Sequence, residues 1–323
     1  MKHILSRREF LAGSVSSAAV LGLASRPKPR ASPKQAGAFR KAVIVNKPDE
    51  EDLRKVKDAG FDGVEAGIVE PAEAAKIRKA AEKLDMCIHS VMRGWAKFNS
   101  ENRDKVEESL AVTVDALYAA QAYGAGVILL VPGRLDVEPM PKPWEFRVQF
   151  DSKTGQLRQV ARKDNERYRD YIAAHNRAYD AFEASIDRLI PTAEKTGVVI
   201  AVENVWNNMF VDPRHAAHVI DSFDSPWVRA YFDIGNHVKY RPPEQWIEAL
   251  GKRIVRCHVK DFKLKPDGHG GKFVNIREGS VDWSGVMKAL EKVGYRGWMT
   301  IEGSDKLSLA ERSRRLDLII TAT

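Results

Sequence analysis

The chain is poor in cysteine: Cys87 and Cys257 are the only two among 323 residues. A disulfide framework is therefore excluded, and at most one bridge could form. It also lacks the glycine fingerprint G-x-G-x-x-G after its first strand-like run, which counts against an open dinucleotide-binding sheet. No glycine-rich loop with a nearby Lys or Ser opens a helix, so no phosphate-binding signature is visible. The weakly apolar stretch from Leu11 to Ala24 is too short, and too rich in Gly, Ser and Ala, for a stable membrane span.

What is present is a large apolar share, 44%, mixed with 30% charged residues of both signs. That composition supports a sizeable core and excludes disordered or collagen-like chains. The formal charge of +8 points, at first sight, to an anionic partner. Its distribution says otherwise. Residues 1–25 read as a twin-arginine signal peptide: Ser6-Arg7-Arg8-Glu9-Phe10-Leu11, then an apolar small-residue run. Residues 26–40 are rich in Pro, Lys, Arg and Ala without periodicity and read as a disordered linker. These two segments hold nearly all of the excess charge, which leaves the body from Lys41 onward close to neutral. Nucleic acid is thus not expected as a partner, and a membrane only through the export signal. The expected location is extracytoplasmic, such as a periplasm.

From Lys41 to the end, short apolar runs alternate with longer segments of helical period. Eight runs recur: Ala42–Val45, Gly63–Gly67, Cys87–Val91, Val127–Val131, Val198–Val202, Val228–Phe232, Ile254–Val259 and Trp298–Ile301. Continuous apolar strands between amphipathic helices imply a parallel sheet covered by helices. Helices are expected over Asp49–Ala59, Pro71–Leu84, Arg103–Tyr123 and Trp283–Val293, with Gly60, Gly124, Gly197 and Gly294 placed as C-terminal caps. Eight such units in about 280 residues match one (β/α)₈ TIM barrel. Residues from about 133 to 165 break the rhythm. They are expected to form an insertion after the fourth strand, with Thr154-Gly155 turning a hairpin at the mouth. Cys87 and Cys257 fall in strands that are not barrel neighbours and are expected to be buried free thiols.

The ends of the last four strands carry polar residues: Glu203, Asp233, His258 and Glu302. A buried ionisable group costs several kcal/mol unless it is paired or bound to a cation. Four such residues at the same end of consecutive strands converge on one point. Three carboxylates and an imidazole make a hard divalent-metal site, expected to take Mn²⁺ or Mg²⁺ ahead of Co²⁺ or Zn²⁺. Glu65 and His89 end the second and third runs and are candidates to face substrate. Lys260 is a candidate to bind a substrate oxygen or to pair with a carboxylate. Trp95 and Trp206 are candidates to stack on a sugar face, Asn236 and His237 are candidates to bind substrate, and His237 also to support the metal from behind.

The motifs A-V-E-N, F-D-I-G-N, H-V-K-D and W-M-T-I-E-G, with V-D-W-S-G-V-M-K-A-L-E-K-V-G-Y-R-G, resemble the sugar phosphate isomerase/epimerase superfamily, the xylose isomerase-like TIM barrels. The resemblance runs from about Ala42 to the C-terminus. It implies that Glu203, Asp233, His258 and Glu302 bind one divalent metal, and that Glu203 and Glu302 double as acid and base. Ketose epimerases of this group place a His three residues after the Asp; here that position is Asn236, and His237 follows. The function so implied is a metal-dependent sugar isomerase or epimerase that removes a proton beside a carbonyl through a metal-bound enediolate. A lyase of the same superfamily, eliminating from oxidised (3-keto) glycosides, is the first alternative. A non-catalytic sugar-binding barrel is the second. A repair endonuclease of the superfamily fits poorly, because too few histidines end the strands and the body is near neutral. A small carbohydrate is the expected partner; an oligomer is open.

Overall fold

The computed structural model describes residues 39–321. The twin-arginine segment and the linker through residue 38 lie outside the described residues. Arg40, which composition assigns to the linker, belongs to the first strand and pairs with Trp298.

Eight parallel strands close a barrel. In chain order they are β1 (Arg40–Ile44), β2 (Gly63–Gly67), β3 (Cys87–Trp95), β4 (Val127–Val131), β7 (Val199–Glu203), β8 (Val228–Asp233), β9 (Ile254–Val259) and β12 (Trp298–Ile301). Around the barrel the order is β1-β12-β9-β8-β7-β4-β3-β2, so β1 closes the ring against both β12 and β2. The expected (β/α)₈ architecture is therefore the observed one. The apolar runs become strands because both of their faces are covered: every residue of β4 is buried. Helices α1 (Glu50–Asp58), α2 (Pro71–Lys83), α3 (Arg103–Tyr123), α4 (Arg169–Thr196), α5 (Pro213–Ser222), α6 (Pro243–Leu250), α7 (Trp283–Lys292) and α8 (Leu309–Ile320) intervene. Their ends obey local chemistry. Asp49 caps α1 with a reciprocal bond to Asp52, and Asn102 accepts from the amides of Asp104 and Lys105 at the start of α3. Gly124 ends α3 at φ +76°, a conformation that costs other residues energy. No helix among the described residues is long and apolar enough to cross a membrane.

Two excursions rise from the C-terminal ends of the strands. The expected insertion carries the hairpin β5 (Gln149–Phe150) and β6 (Leu157–Gln159). It is tied down by His215 of α5, whose Nε2 lies 2.8 Å from the Gly155 carbonyl, and by Asn176 of α4, which accepts from the Leu157 amide at 2.7 Å. A second hairpin, β10 (Asp261–Leu264) with β11 (Gly271–Val274), follows β9 and was not anticipated. Trp144 of the first excursion stacks on His269 of the second, 4.2 Å between ring centres, so the two segments meet. Both cysteines are free, as expected, but only Cys257 is buried; Cys87 is half-buried beside Arg40.

Candidate metal centre

β7, β8, β9 and β12 bring Glu203, Asp233, His258 and Glu302 to one point. Each offers a ligand atom, and these atoms all lie within 4.8 Å of one another. From His258 Nδ1 the distances are 2.8 Å to Glu302 Oε2, 3.4 Å to Glu203 Oε1 and 3.9 Å to Asp233 Oδ2. The backbone holds this arrangement tightly. The Asn204 side chain donates to the Asp233 carbonyl at 2.8 Å and accepts from the Asp233 amide at 2.6 Å, locking the ends of β7 and β8 together. Asp233 Oδ1 accepts from the amides of Gly235 and Asn236 at 2.8 and 2.7 Å, which leaves Oδ2 for the centre. Gly235 is required by close approach: a Cβ there would lie 2.6 Å from the Lys260 carbonyl oxygen.

The donor set fits a cation. Asp233 Oδ2, His258 Nδ1 and Glu302 Oε2 are buried atoms that make no well-aligned hydrogen bond, although Nδ1 and Oε2 lie 2.8 Å apart and Lys260 Nζ stands 3.4 Å from Oδ2, and all three face the same point. Orphaned buried acceptors of this kind are expensive unless a cation answers them. Burial pushes the Asp233 carboxyl up to about 7; Lys260 opposes this, while Glu302 and Glu203 add to it. Burial also works against charge on His258, yet Tyr231 and the carboxylates of Glu65 and Glu302 lift its pKa well above the ordinary value. A positive charge placed among these groups is therefore stabilised. The oxygen-rich set suits a hard divalent ion.

The residues around the centre divide sharply. Glu65 was expected to face substrate, but it is fully buried. Its Oε2 accepts from His258 Nε2 at 2.6 Å and its Oε1 from Ser90 Oγ at 2.8 Å. This holds the imidazole with Nδ1 turned to the centre, the arrangement in which an outer carboxylate orients a metal-binding histidine. His89 also fails to reach the mouth. A register shift between β2 and β3 sets Ser90, not His89, opposite Glu65. His89 instead stacks on Trp298 and contacts Arg256 and Thr300. His237 lies behind the wall, with Nε2 3.0 Å from the Val205 carbonyl and its ring against Trp246 and Tyr240.

Lys260 and Asn236 do reach the centre. Lys260 Nζ lies 2.7 Å from Glu302 Oε1, 3.4 Å from Asp233 Oδ2 and 3.2 Å from Asn236 Oδ1. Asn236 Nδ2 in turn donates to Glu203 Oε1 at 3.4 Å. A polar chain thus runs from one glutamate to the other. The glutamates are driven apart in proton affinity. Burial raises Glu203, whereas His258 and Lys260 outweigh burial at Glu302 and hold it well below the carboxylate range.

Comparison with known proteins fits this geometry. The family model described as xylose isomerase-like TIM barrel matches residues 53–317. The chain belongs to that family. The curated relatives it matches are each covered over less than half of their own length. One, L-ribulose-5-phosphate 3-epimerase UlaE of Escherichia coli O1:K1, is 29% identical over 135 residues, which is 41% of this chain and 45% of that protein. Among solved structures, a D-tagatose 3-epimerase-like protein superposes with a TM-score of 0.66 at 18% identity, covering 87% of this chain and 98% of its own. The IOLI protein, solved with a zinc atom, superposes at 0.62 and 15%, covering 87% and 96%. These structural likenesses are likenesses of fold.

Within the xylose isomerase-like frame, the mouth is lined by aromatic side chains. Trp95, at the end of β3, is 49% exposed. Trp206 donates its indole N–H to the Asn236 carbonyl, stacks on Phe273 at 4.8 Å and carries Lys239 Nζ 3.4 Å above its ring. Phe273 of β11 stands 5.1 Å from Lys260 Nζ, directly beside the centre. Sequence reasoning missed Phe273, Lys239 and Asn204. A signal for the first existed: Lys265-Pro266-Asp267-Gly268 is strong turn chemistry between two short runs.

Proposed function

We propose that this protein is a divalent-metal-dependent sugar isomerase or epimerase that removes a proton from carbon beside a carbonyl. The observation that carries the reading is the convergence of Glu203, Asp233, His258 and Glu302, with orphaned ligand atoms on three of them and two glutamates of opposed proton affinity in the set. Bound there, a divalent ion would polarise a carbonyl and its neighbouring hydroxyl and acidify the intervening C–H. Glu203, whose burial favours the protonated form, suits the group that takes up and returns a proton. Glu302, held ionised by His258 and Lys260, suits the base that takes the C–H proton on one face while protonated Glu203 delivers its own to the other, and the roles exchange in the reverse direction. Asn236 and Lys260 fix the two carboxylates relative to each other and offer hydrogen bonds to substrate oxygens. Trp206, Phe273 and Trp95 provide flat apolar faces of the kind that stack on sugar C–H surfaces. The Ser6–Leu11 pattern supports export by the twin-arginine route, and with it an extracytoplasmic substrate.

The test is metal analysis of the purified protein, then NMR of solvent deuterium uptake into ketoses and keto-glycosides. The expected result is a bound divalent ion, with Mn²⁺ or Mg²⁺ restoring exchange after chelation. Exchange accompanied by release of the glycosidic leaving group would assign the lyase alternative. No ion and no exchange on any substrate would refute the enzyme reading.

A further inference from the structure

The opposite end of the barrel holds a second polar cavity, of about 260 Å³, at the N-terminal ends of the strands. Its walls come from the starts of β1, β3, β9 and β12 and from the turns that end α3 and α4. Three arginines line it; Arg78 is paired with Glu82, and two guanidinium groups are left, those of Arg40 and Arg256. Neither has a carboxylate within ion-pair distance among the described residues. Arg256 is 8% exposed, so its charge is almost wholly removed from bulk water. Its donors reach only neutral acceptors: His89 Nδ1 at 3.2 Å, the His89 carbonyl at 3.1 Å and its own neighbour's carbonyl, Val255, at 2.7 Å. Arg40 lies over the Trp298 ring at 4.1 Å, with Nη2 3.5 Å from Cys87 Sγ.

A buried cation without a counter-charge costs several kcal/mol. The acidic side chain lining this cavity, Glu82, is already engaged by Arg78 at 2.7 Å. The sequence that leads into Arg40 is itself strongly basic: residues 1–38 contain seven Lys or Arg against one acid, Glu9.

We propose that this cavity is a binding site for a small oxyanion, a phosphate or a carboxylate, held between Arg40 and Arg256. Planar guanidinium groups match both ligand types through paired N–H donors. The cavity is below the volume usual for drug-sized ligands, which fits a compact anion. The layer of His89 and Thr300 separates it from the metal centre: Arg256 and His258 are two residues apart on β9 and share the inner face. The site is thus distinct from the one that would take the sugar, and it stands whether or not the enzyme reading does.

Calorimetric titration of the full chain with inorganic phosphate and, separately, with malonate at constant ionic strength tests the proposal. The variants are Arg40→Gln, at the rim, and Arg256→Lys, which keeps the charge but loses the fork. Arg54→Gln, an exposed residue of α1 paired with Glu50, is the control. Saturable binding of either anion is expected. It should weaken at least about tenfold in Arg40→Gln, as loss of a charge-assisted hydrogen bond implies, and be unchanged in the control. Alkylation of Cys87 by iodoacetamide, read by mass, locates the event, because Cys257 is fully buried. The bound anion should slow it in the parent and not in Arg40→Gln. Binding of phosphate alone or malonate alone identifies the source while supporting the site. Absence of saturable binding, or binding equal in the parent and Arg40→Gln, overturns it.

Discussion

Replacing Glu65 by Gln gives a direct test of how the candidate centre is organised. The side chain is fully buried and touches no solvent, so the substitution acts only through its two partners. Gln preserves shape. Its oxygen can still accept from His258 Nε2, and its amide can donate to Ser90 Oγ. What is lost is the negative charge 2.6 Å from the imidazole. A charge-assisted hydrogen bond contributes about 1.5–3 kcal/mol and a neutral one about 1, so the imidazole loses roughly 0.5–2 kcal/mol of support as a donor to a cation. Outer carboxylates of this kind are worth about 10–100-fold in metal affinity, or ~1.4–2.7 kcal/mol, which agrees. The assay is titration of chelator-treated protein with Mn²⁺, followed by calorimetry, beside thermal denaturation of the metal-free forms. The expected result is at least about tenfold weaker binding with the folded state intact. Mn²⁺ affinity within a factor of about two of the parent would refute the role assigned to Glu65.

Three further outcomes follow from the same geometry. Glu203→Gln and Glu302→Gln should each lower solvent deuterium exchange by about a hundredfold or more while circular dichroism stays unchanged, since each removes a proton-transfer group and not a core contact. Lys260→Met removes a cation that holds Glu302 down, so the acidic limb of the pH–rate profile should move to higher pH, with kcat falling more than KM rises. His175 and His215 are buried, and desolvation depresses them to about 4 and about 3. Folding therefore favours their neutral forms. Stability should be complete above the ordinary histidine value of 6.5 and fall as the unfolded chain takes up protons below it, by about 1.4 kcal/mol per pH unit for each group until the folded pKa is reached. Urea denaturation from pH 7 to 4 measures this, and His215→Gln should flatten the slope.

Much of this was legible in the chain because barrels write themselves in strong local signals. A run such as Val127–Val131 can only be a strand covered on both faces, and eight of them in regular alternation leave few architectures. The convergence of Glu203, Asp233, His258 and Glu302 was legible for a similar reason: charged residues at strand ends are costly unless they meet. Direction was harder to read. Glu65 and His89 both end apolar runs, but the irregular pairing of β2 with β3 decides which side chain meets which, and no periodicity announces such a shift. Hydrogen bonding decides the rest: Glu65 has both oxygens committed, while Lys260 is drawn among three acceptors. The hairpin β10–β11 was missed although its Pro266-Asp267-Gly268 turn was in view, because its runs are short and only partly buried.

The contact between Glu65 and His258 spans 193 positions of the chain. All four candidate ligands come from the second half, on the contiguous arc from β7 to β12, and the residue that sets the imidazole comes from the first half, across the barrel interior. A nascent or nicked chain in which β1 has not joined β12 can gather the ligands but cannot aim the histidine. Tight ion binding would then mark completion of the ring, and a chain that retains its metal through a chelating wash would be one whose two ends have met.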